Sequence, residues 1–314
     1  MHRGLVNTGA VGYVTTLLHC LYHWPGLADV LSEHVAERSS GDAAPSIAEA
    51  LHMIFQQMAA PMEGDGDAVE LDRLFAAFGW GSRETTQLRD IHEFALMLID
   101  RLRSESPKIE AYFAKMTTTV EERVITAVSD DGQPGEVLSR RNDAGLGINL
   151  SASRGSWENA LREVFTTDRL EGDNKYQHPT TRAMVVADMK IQLGAPLPQI
   201  LMVEVKRFDL DFNTMSMKKV TDHFAYPEQV ELFGTSFQLF SVITHQSPRI
   251  DHGYLSCIAR SPSPIGTAFG PWLDCRDATV RPYEGSPLEY GAGGSPNSPC
   301  CVLLFYSQLL GGGE

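Results

Sequence analysis

The sequence predicts an α+β fold, with helices first and short strands in the remainder of the chain. Three observations carry this expectation. Apolar residues recur at spacings of three and four from Tyr13 to Leu102. After about residue 117 the period changes, and β-favouring valines take over. From residue 199 onward, short apolar runs are separated by loops rich in glycine and proline. Such segregation reads as α+β rather than alternating α/β.

The elements follow in order. Gly9 and Gly12 punctuate a loop that runs into a helix with apolar residues at 13, 14, 17, 18, 21 and 22, one helical face. A loop ending at a helix N-terminus presents unpaired N–H groups and a positive dipole end, a place that stabilises an anion. Gly12, at the focus, has no side chain. Ser46-Ile47-Ala48-Glu49, preceded by Pro45, has the pattern of a capping box. Ile47, Leu51, Ile54, Phe55 and Met58 then form a stripe. A Gly/Asp loop at 64–67 interrupts it, and Leu71, Leu74, Phe75 and Phe78 resume it. Residues 90–103 are the clearest helix, with Ile91, Phe94, Ala95, Leu98, Ile99 and Leu102 on its buried face. Val120, Val124 and Val128 mark a strand before turn residues at 130–135. Residues 157–165 read as a short helix and Gly172-Asp173-Asn174 as a turn. Strands are expected at 200–208, 237–244, 254–259 and 301–306, with loops at 261–270 and 284–299. Residues 311–314 read as a frayed end.

The totals narrow the function class. At 43% hydrophobic and 21% charged, the 314 residues have the composition of a globular protein. No apolar run approaches the length of a transmembrane helix, and the glycine loop leaves no room for a signal peptide before it. A net charge of −14 argues against nucleic acid or an anionic membrane as partner, and is compatible with a basic or neutral protein. Cys20, Cys257, Cys275, Cys300 and Cys301 are too irregular for a disulfide framework and contain no CxxC pair. An intracellular setting, cytoplasmic or nuclear, is therefore expected. His19 and His23 stand i, i+4 with Cys20 between them, a spacing that can bind zinc. No second ligand pair is apparent in the sequence, so no metal or cofactor is expected.

Seven stretches together carry a resemblance. Gly4-Leu5-Val6-Asn7-Thr8-Gly9-Ala10-Val11-Gly12-Tyr13 is similar to Gly-Leu-x-Asn-x-Gly-Ala-Thr-Cys-Tyr, the first box of the ubiquitin-specific proteases. Leu88-Arg89-Asp90-Ile91-His92-Glu93-Phe94 resembles that family's Gln-His-Asp-x-x-Glu-Phe helix start, with Phe78-Gly79-Trp80 before it. Glu171-Gly172-Asp173-Asn174-Lys175-Tyr176, Val205-Lys206-Arg207-Phe208, Phe224-Ala225-Tyr226-Pro227 and Leu303-Leu304-Phe305-Tyr306 resemble later signatures in the right order. The resemblance covers essentially the whole chain and is nearest the herpesvirus-associated branch. It implies a papain-like hand: a helical thumb (1–116), β-rich fingers without zinc (117–200) and a β-rich palm (201–314). Ubiquitin would rest on the fingers, with its C-terminal tail threaded between thumb and palm.

The resemblance also locates the family's catalytic positions, and all three are altered. The nucleophile position is Gly12. Cys20, eight residues along the helix, is roughly 12 Å away at the helical rise and out of reach. The base position, anchored on Tyr254, is Gly253. His252, one place earlier, points to the opposite strand face and would serve only if a bulge re-aimed it. Arg276 stands at the third position, where an orienting residue must accept an imidazole N–H, and arginine has no acceptor; Asp277 follows it. Asn7, at the oxyanion-donor position, is retained. Asp90, Glu93, Phe208, His245 and Tyr254 match residues that line the groove for the ubiquitin tail. The leading expectation is a non-catalytic domain that binds ubiquitin, a ubiquitin-like protein or a complex partner. The alternatives are an active thiol hydrolase cleaving the ubiquitin C-terminal (iso)peptide bond, and a pure scaffold.

Overall fold

The computed structural model describes residues 2–38, 46–61, 67–129, 131–249, 252–261, 269–291 and 294–309. Pro45, most of the 64–67 and 261–270 loops and the 311–314 end lie outside the described residues. Helix α1 (Gly12–Tyr22) leaves the glycine loop with no side-chain cap, and every residue from Tyr13 to Leu21 is buried. The sequence assigns burial to one face only. The helix is enclosed because it packs on the sheet on one side and on two other helices elsewhere, so Thr15, Thr16 and His19 are buried with the leucines.

Next come α2 (Leu27–Glu37) and α3 (Ile47–Ala59). Ser46 caps α3 by accepting from Glu49 N at 3.1 Å. The reciprocal half of the predicted box is replaced. Glu49 pairs with Arg38 at 3.4 Å, and Glu105 accepts from the Ile47 and Ala48 amides at 2.7 and 3.1 Å. The remaining early helices are α4 (Asp72–Phe78), α5 (Ser82–Thr85), α6 (Ile91–Arg103) and α7 (Pro107–Thr117). Asp90 caps α6, its Oδ1 accepting from His92 N and Glu93 N at 2.8 and 3.0 Å. The six apolar residues expected on the inner face of α6 are all buried.

The strands divide into two main sheets. β1 (Thr118–Val128) and β2 (Pro134–Leu146) form an antiparallel hairpin across the expected turn. β3 (Ile148–Ser151) and α8 (Trp157–Val164) follow, then β4 (Thr167–Leu170), β5 (Tyr176–Gln177), β6 (Met184–Val185) and β7 (Ala187–Leu193). One sheet has the order β2-β1-β7-β4. The late strands are β8 (Ile200–Lys206), β9 (Phe208–Asp211), β10 (Ser216–Lys219), β11 (Gln229–Leu232) and β12 (Thr235–Gln246). After them come β13 (Tyr254–Ala259), β14 (Leu273–Arg276), β15 (Thr279–Pro282) and β16 (Cys300–Gln308). The large sheet runs β15-β14-β13-β12-β16-β8-β3, with β11 paired to β12.

The expected division at 117–200 therefore needs a correction. β3 pairs in parallel with β8, and Trp157 of α8 packs in one core with Val203 and Tyr306. Residues 148–164 belong with the large sheet because Ile148, Leu150 and Trp157 have no comparable apolar surface to bury against in the smaller one, whose core is only Ile125, Leu138 and Ala187 with a few half-buried neighbours. The large sheet is covered on both faces. Ile200, Met202 and Phe305 face the helices, while Leu201, Val203 and Leu304 face the α8 side. A strand buried on both faces reads as a continuous apolar run, as residues 200–203 do.

One buried cation braces the palm. Lys219, 5% exposed, donates to the carbonyls of Ser247 and Pro296 at 2.8 and 3.0 Å. It also reaches those of Ser298 and His245 at 3.4 and 3.5 Å. Replacing it by methionine keeps the length and strips these carbonyls of their donor. Lys219→Met is expected to lower unfolding stability by about 2–3 kcal/mol in a denaturant titration. By contrast, the β9–β10 hairpin leaves Phe212 and Met215 79% and 71% exposed.

Candidate functional site

The start of α1 meets the tight turn that joins β14 to β15. Asp277, in that turn with φ of 47°, accepts from Thr15 Oγ1 at 2.6 Å and from Asn7 Nδ2 at 3.2 Å. The chain's own carboxylate thus lies against the first turn of α1, held by side chains rather than by the helix's free amides. The main-chain oxygen of Asp277 accepts from Leu5 N at 2.8 Å and from His19 Nε2 at 2.9 Å, so the turn is fastened from three sides. Gly12 lies beside it. A Cβ built on Gly12 would meet only Asn7 Nδ2, at 3.4 Å, so a cysteine would fit and its neighbour would be an amide donor. Asn7, expected from the sequence as an oxyanion donor, has its side-chain N–H turned to Asp277.

Arg276 takes no part in this cluster. Its Nε donates to Asp274 Oδ1 at 2.8 Å, and Arg281 donates to Asp274 Oδ2 at 3.0 Å. The carboxylate that reaches α1 is therefore that of Asp277, one residue on from Arg276, because the turn swings that side chain toward the helix. Tyr254 stands near it: burial and the Asp277 charge raise the phenol's pKa above its ordinary value.

Gly253, expected from the sequence at the base position, is closely packed. Gly253 has φ of +154°, and a Cβ there would lie 2.2 Å from Nε2 of His245. The His245 ring fills the space that a side chain at 253 would need. It donates to the His252 carbonyl at 3.1 Å and packs edge-on against Phe208, with ring centroids 5.6 Å apart. Burial, then the nearby Lys219 charge, holds its pKa below the usual value, so it stays neutral at neutral pH. β12 and β13 pair without a bulge from Ser241↔Ala259 to Gln246↔Tyr254, and His252 precedes that register as an exposed residue.

A groove of about 380 Å³ opens between α6 and the palm strands. Asp90, Glu93, Phe208, His245, His252 and Gly253 line it. The structure thus brings most of the expected tail-groove residues together. Tyr254, Asn7, Gly12, Arg276 and Asp277 lie outside its lining. The two acids are exposed, and Asp90 satisfies the helix cap through Oδ1 alone. Sequence reasoning missed the contact joining the two walls, His92 Nδ1 to Glu204 at 3.4 Å. It also missed Lys206, which adds a cation to the palm side. The alternation of charge in β8 after an apolar run was the available signal for Glu204 and Lys206.

The profile of the ubiquitin carboxyl-terminal hydrolases matches residues 3–306. The chain belongs to this family. Ubiquitin carboxyl-terminal hydrolase 47 of Drosophila melanogaster is 27% identical over 244 residues, covering 73% of this chain and 15% of that protein. Ubiquitin C-terminal hydrolase 13 of Arabidopsis thaliana is 25% identical over 238 residues, covering 73% and 20%. Ubiquitin carboxyl-terminal hydrolase 7 of Drosophila melanogaster is 25% identical over 309 residues, covering 92% and 25%. The hydrolase domain here therefore spans at most about a quarter of the length of these curated relatives. Its fold is similar to a chain of the SAGA DUB module of Ubp8, Sgf11, Sus1 and Sgf73 bound to monoubiquitin. The TM-score is 0.78 at 17% identity, over 98% of this chain and 69% of that one. The thumb, palm and fingers arrangement of a papain-like ubiquitin-specific protease is thus the fold of this chain. No helix among the described residues is long and apolar enough to cross a membrane.

Proposed function

We propose that the chain is a catalytically inactive ubiquitin carboxyl-terminal hydrolase domain that keeps the groove for the C-terminal tail of ubiquitin and binds it there. The observation that carries this reading is the His245 ring standing where a side chain at Gly253 would have to be. A missing thiol at Gly12 alone would be a single loss. A base position with no side chain, its space occupied by another residue, is a second change that no rotation of a nearby group repairs. The acids Asp90 and Glu93 support the binding half, because exposed carboxylates on a groove wall suit the basic tail of ubiquitin. The exposed Phe212 and Met215 of the β9–β10 hairpin support contact with a protein surface as well.

Purified protein is expected to leave a fluorogenic ubiquitin substrate intact. It is also expected to form no adduct with ubiquitin carrying a C-terminal electrophile, since all five cysteines are buried. Turnover abolished by thiol alkylators would overturn the reading.

A further inference from the structure

We propose that His2, His19 and Cys275, with His23 beside them, form a buried binding site for a zinc-type divalent cation where α1 meets β14. One donor atom from each of His2, His19 and Cys275 lies within 4.8 Å of the others. His2 Nε2 and Cys275 Sγ are 3.9 Å apart, and the His19 and His23 rings each lie 5.2 Å from the His2 ring. All four side chains are at least nine-tenths buried. His19 and His23 were already spaced for a metal along one helix; the fold supplies the missing ligands from both ends of the chain.

The hydrogen bonds set the inner nitrogens free. A carbonyl only accepts, so His19 Nε2 carries the proton it donates to Asp277 O at 2.9 Å. His19 Nδ1 is then a lone pair, buried and without a partner. His2 Nδ1 likewise donates to Arg3 O at 2.9 Å, which leaves Nε2 as the lone pair beside the thiol. His23 Nδ1 is engaged by the Ser261 hydroxyl at 2.8 Å, and its Nε2 is buried without a partner. An imidazole whose outer nitrogen is tied to a carbonyl or hydroxyl is the arrangement that orients a metal ligand. On binding, the cation takes a sulfur lone pair of Cys275 and the thiol proton leaves to solvent.

The donor set chooses the metal. Two nitrogens and one sulfur, with the His23 ring next to that of His2, suit a zinc site, and no carboxylate among the described residues joins the group to favour calcium or magnesium. Tetrahedral donors sit about 3.3–3.7 Å apart at the usual bond lengths, so closing this shell asks for side-chain shifts on the order of 1 Å. The ion would join the segment before the glycine loop, α1 and the β14–β15 hairpin, and would hold Asp277 in place through His19.

The test uses the full chain, stripped with a chelator and then given Co²⁺ alone. One Co²⁺ per chain is expected, with visible bands of tetrahedral cobalt and a thiolate-to-cobalt charge-transfer band in the near ultraviolet. An equivalent of Zn²⁺ should erase both. Cys275→Ser should lose the charge-transfer band, Cys275→Ser and His19→Gln should each bind at least tenfold more weakly, and Cys301→Ser should behave as wild type. Folded wild type without the charge-transfer band overturns the proposal, independently of whether any variant folds. So does a band that survives in Cys275→Ser.

Discussion

Gly12→Cys, and Gly12→Cys combined with Gly253→His, will leave a fluorogenic ubiquitin substrate uncleaved. The first substitution is sterically free, since only Asn7 Nδ2 stands within 4 Å of the new Cβ. The restored thiol nevertheless lacks a base. It also sits close to the Asp277 carboxylate, which the Thr15 and Asn7 side chains hold beside the helix and whose negative charge opposes a thiolate where the helix dipole would favour one. The second substitution places a β-carbon at φ of +154°, 2.2 Å from the His245 ring. Either the new imidazole is displaced or His245 is driven from its hydrogen bond to His252 and its packing on Phe208. Losing one member of such a catalytic unit costs on the order of 10⁴–10⁶ in rate, so both variants stay at background. Adding His245→Ala to the double variant removes the overlap, and any turnover that is gained should appear only there. Activity in Gly12→Cys alone, measured by release of the fluorophore, would show that the base is not missing.

The second large effect concerns binding. Asp90→Lys/Glu93→Lys is expected to weaken ubiquitin affinity by roughly 10- to 100-fold, the range for charge pairs at a partly desolvated interface. Asp90 also caps α6 through bonds to the His92 and Glu93 amides, so its reversal costs helix stability of about 1 kcal/mol. The pair Asp90→Asn/Glu93→Gln separates the two contributions, because asparagine caps as well as aspartate does. If the grooved wall recognises charge, the neutral pair loses affinity while melting as wild type does. Equal affinity for wild type and both variants in a calorimetric titration would remove the acids from the interface.

Much of this was legible in the sequence because it depends on local pattern. The face of α6, the hairpin at 130–135 and the four late strands follow from spacing and turn residues. The order of the short motifs was enough to place the fold and the family. What escaped depends on contacts between distant residues. Glu105 displaces Glu49 from the cap of α3 across 56 positions of chain. Residues 148–164 join the palm because their apolar side chains find a larger surface there. The sequence pattern puts Arg276 at the expected third position, but the carboxylate that reaches α1 is Asp277, since a residue of positive φ redirects the turn. The most consequential of these was His245. As a sequence it is one histidine eight places before a glycine, and only the folded chain shows that its ring stands where a side chain at Gly253 would have to be.

The central claim is that the groove persists after the chemistry has gone. It is tested most directly by calorimetric titration of the wild-type chain with ubiquitin, in parallel with ubiquitin trimmed of its C-terminal tail. Saturable one-to-one binding to intact ubiquitin, lost on trimming and accompanied by no hydrolysis, is the predicted result. Absence of binding to intact ubiquitin, or equal binding to the trimmed form, would contradict it.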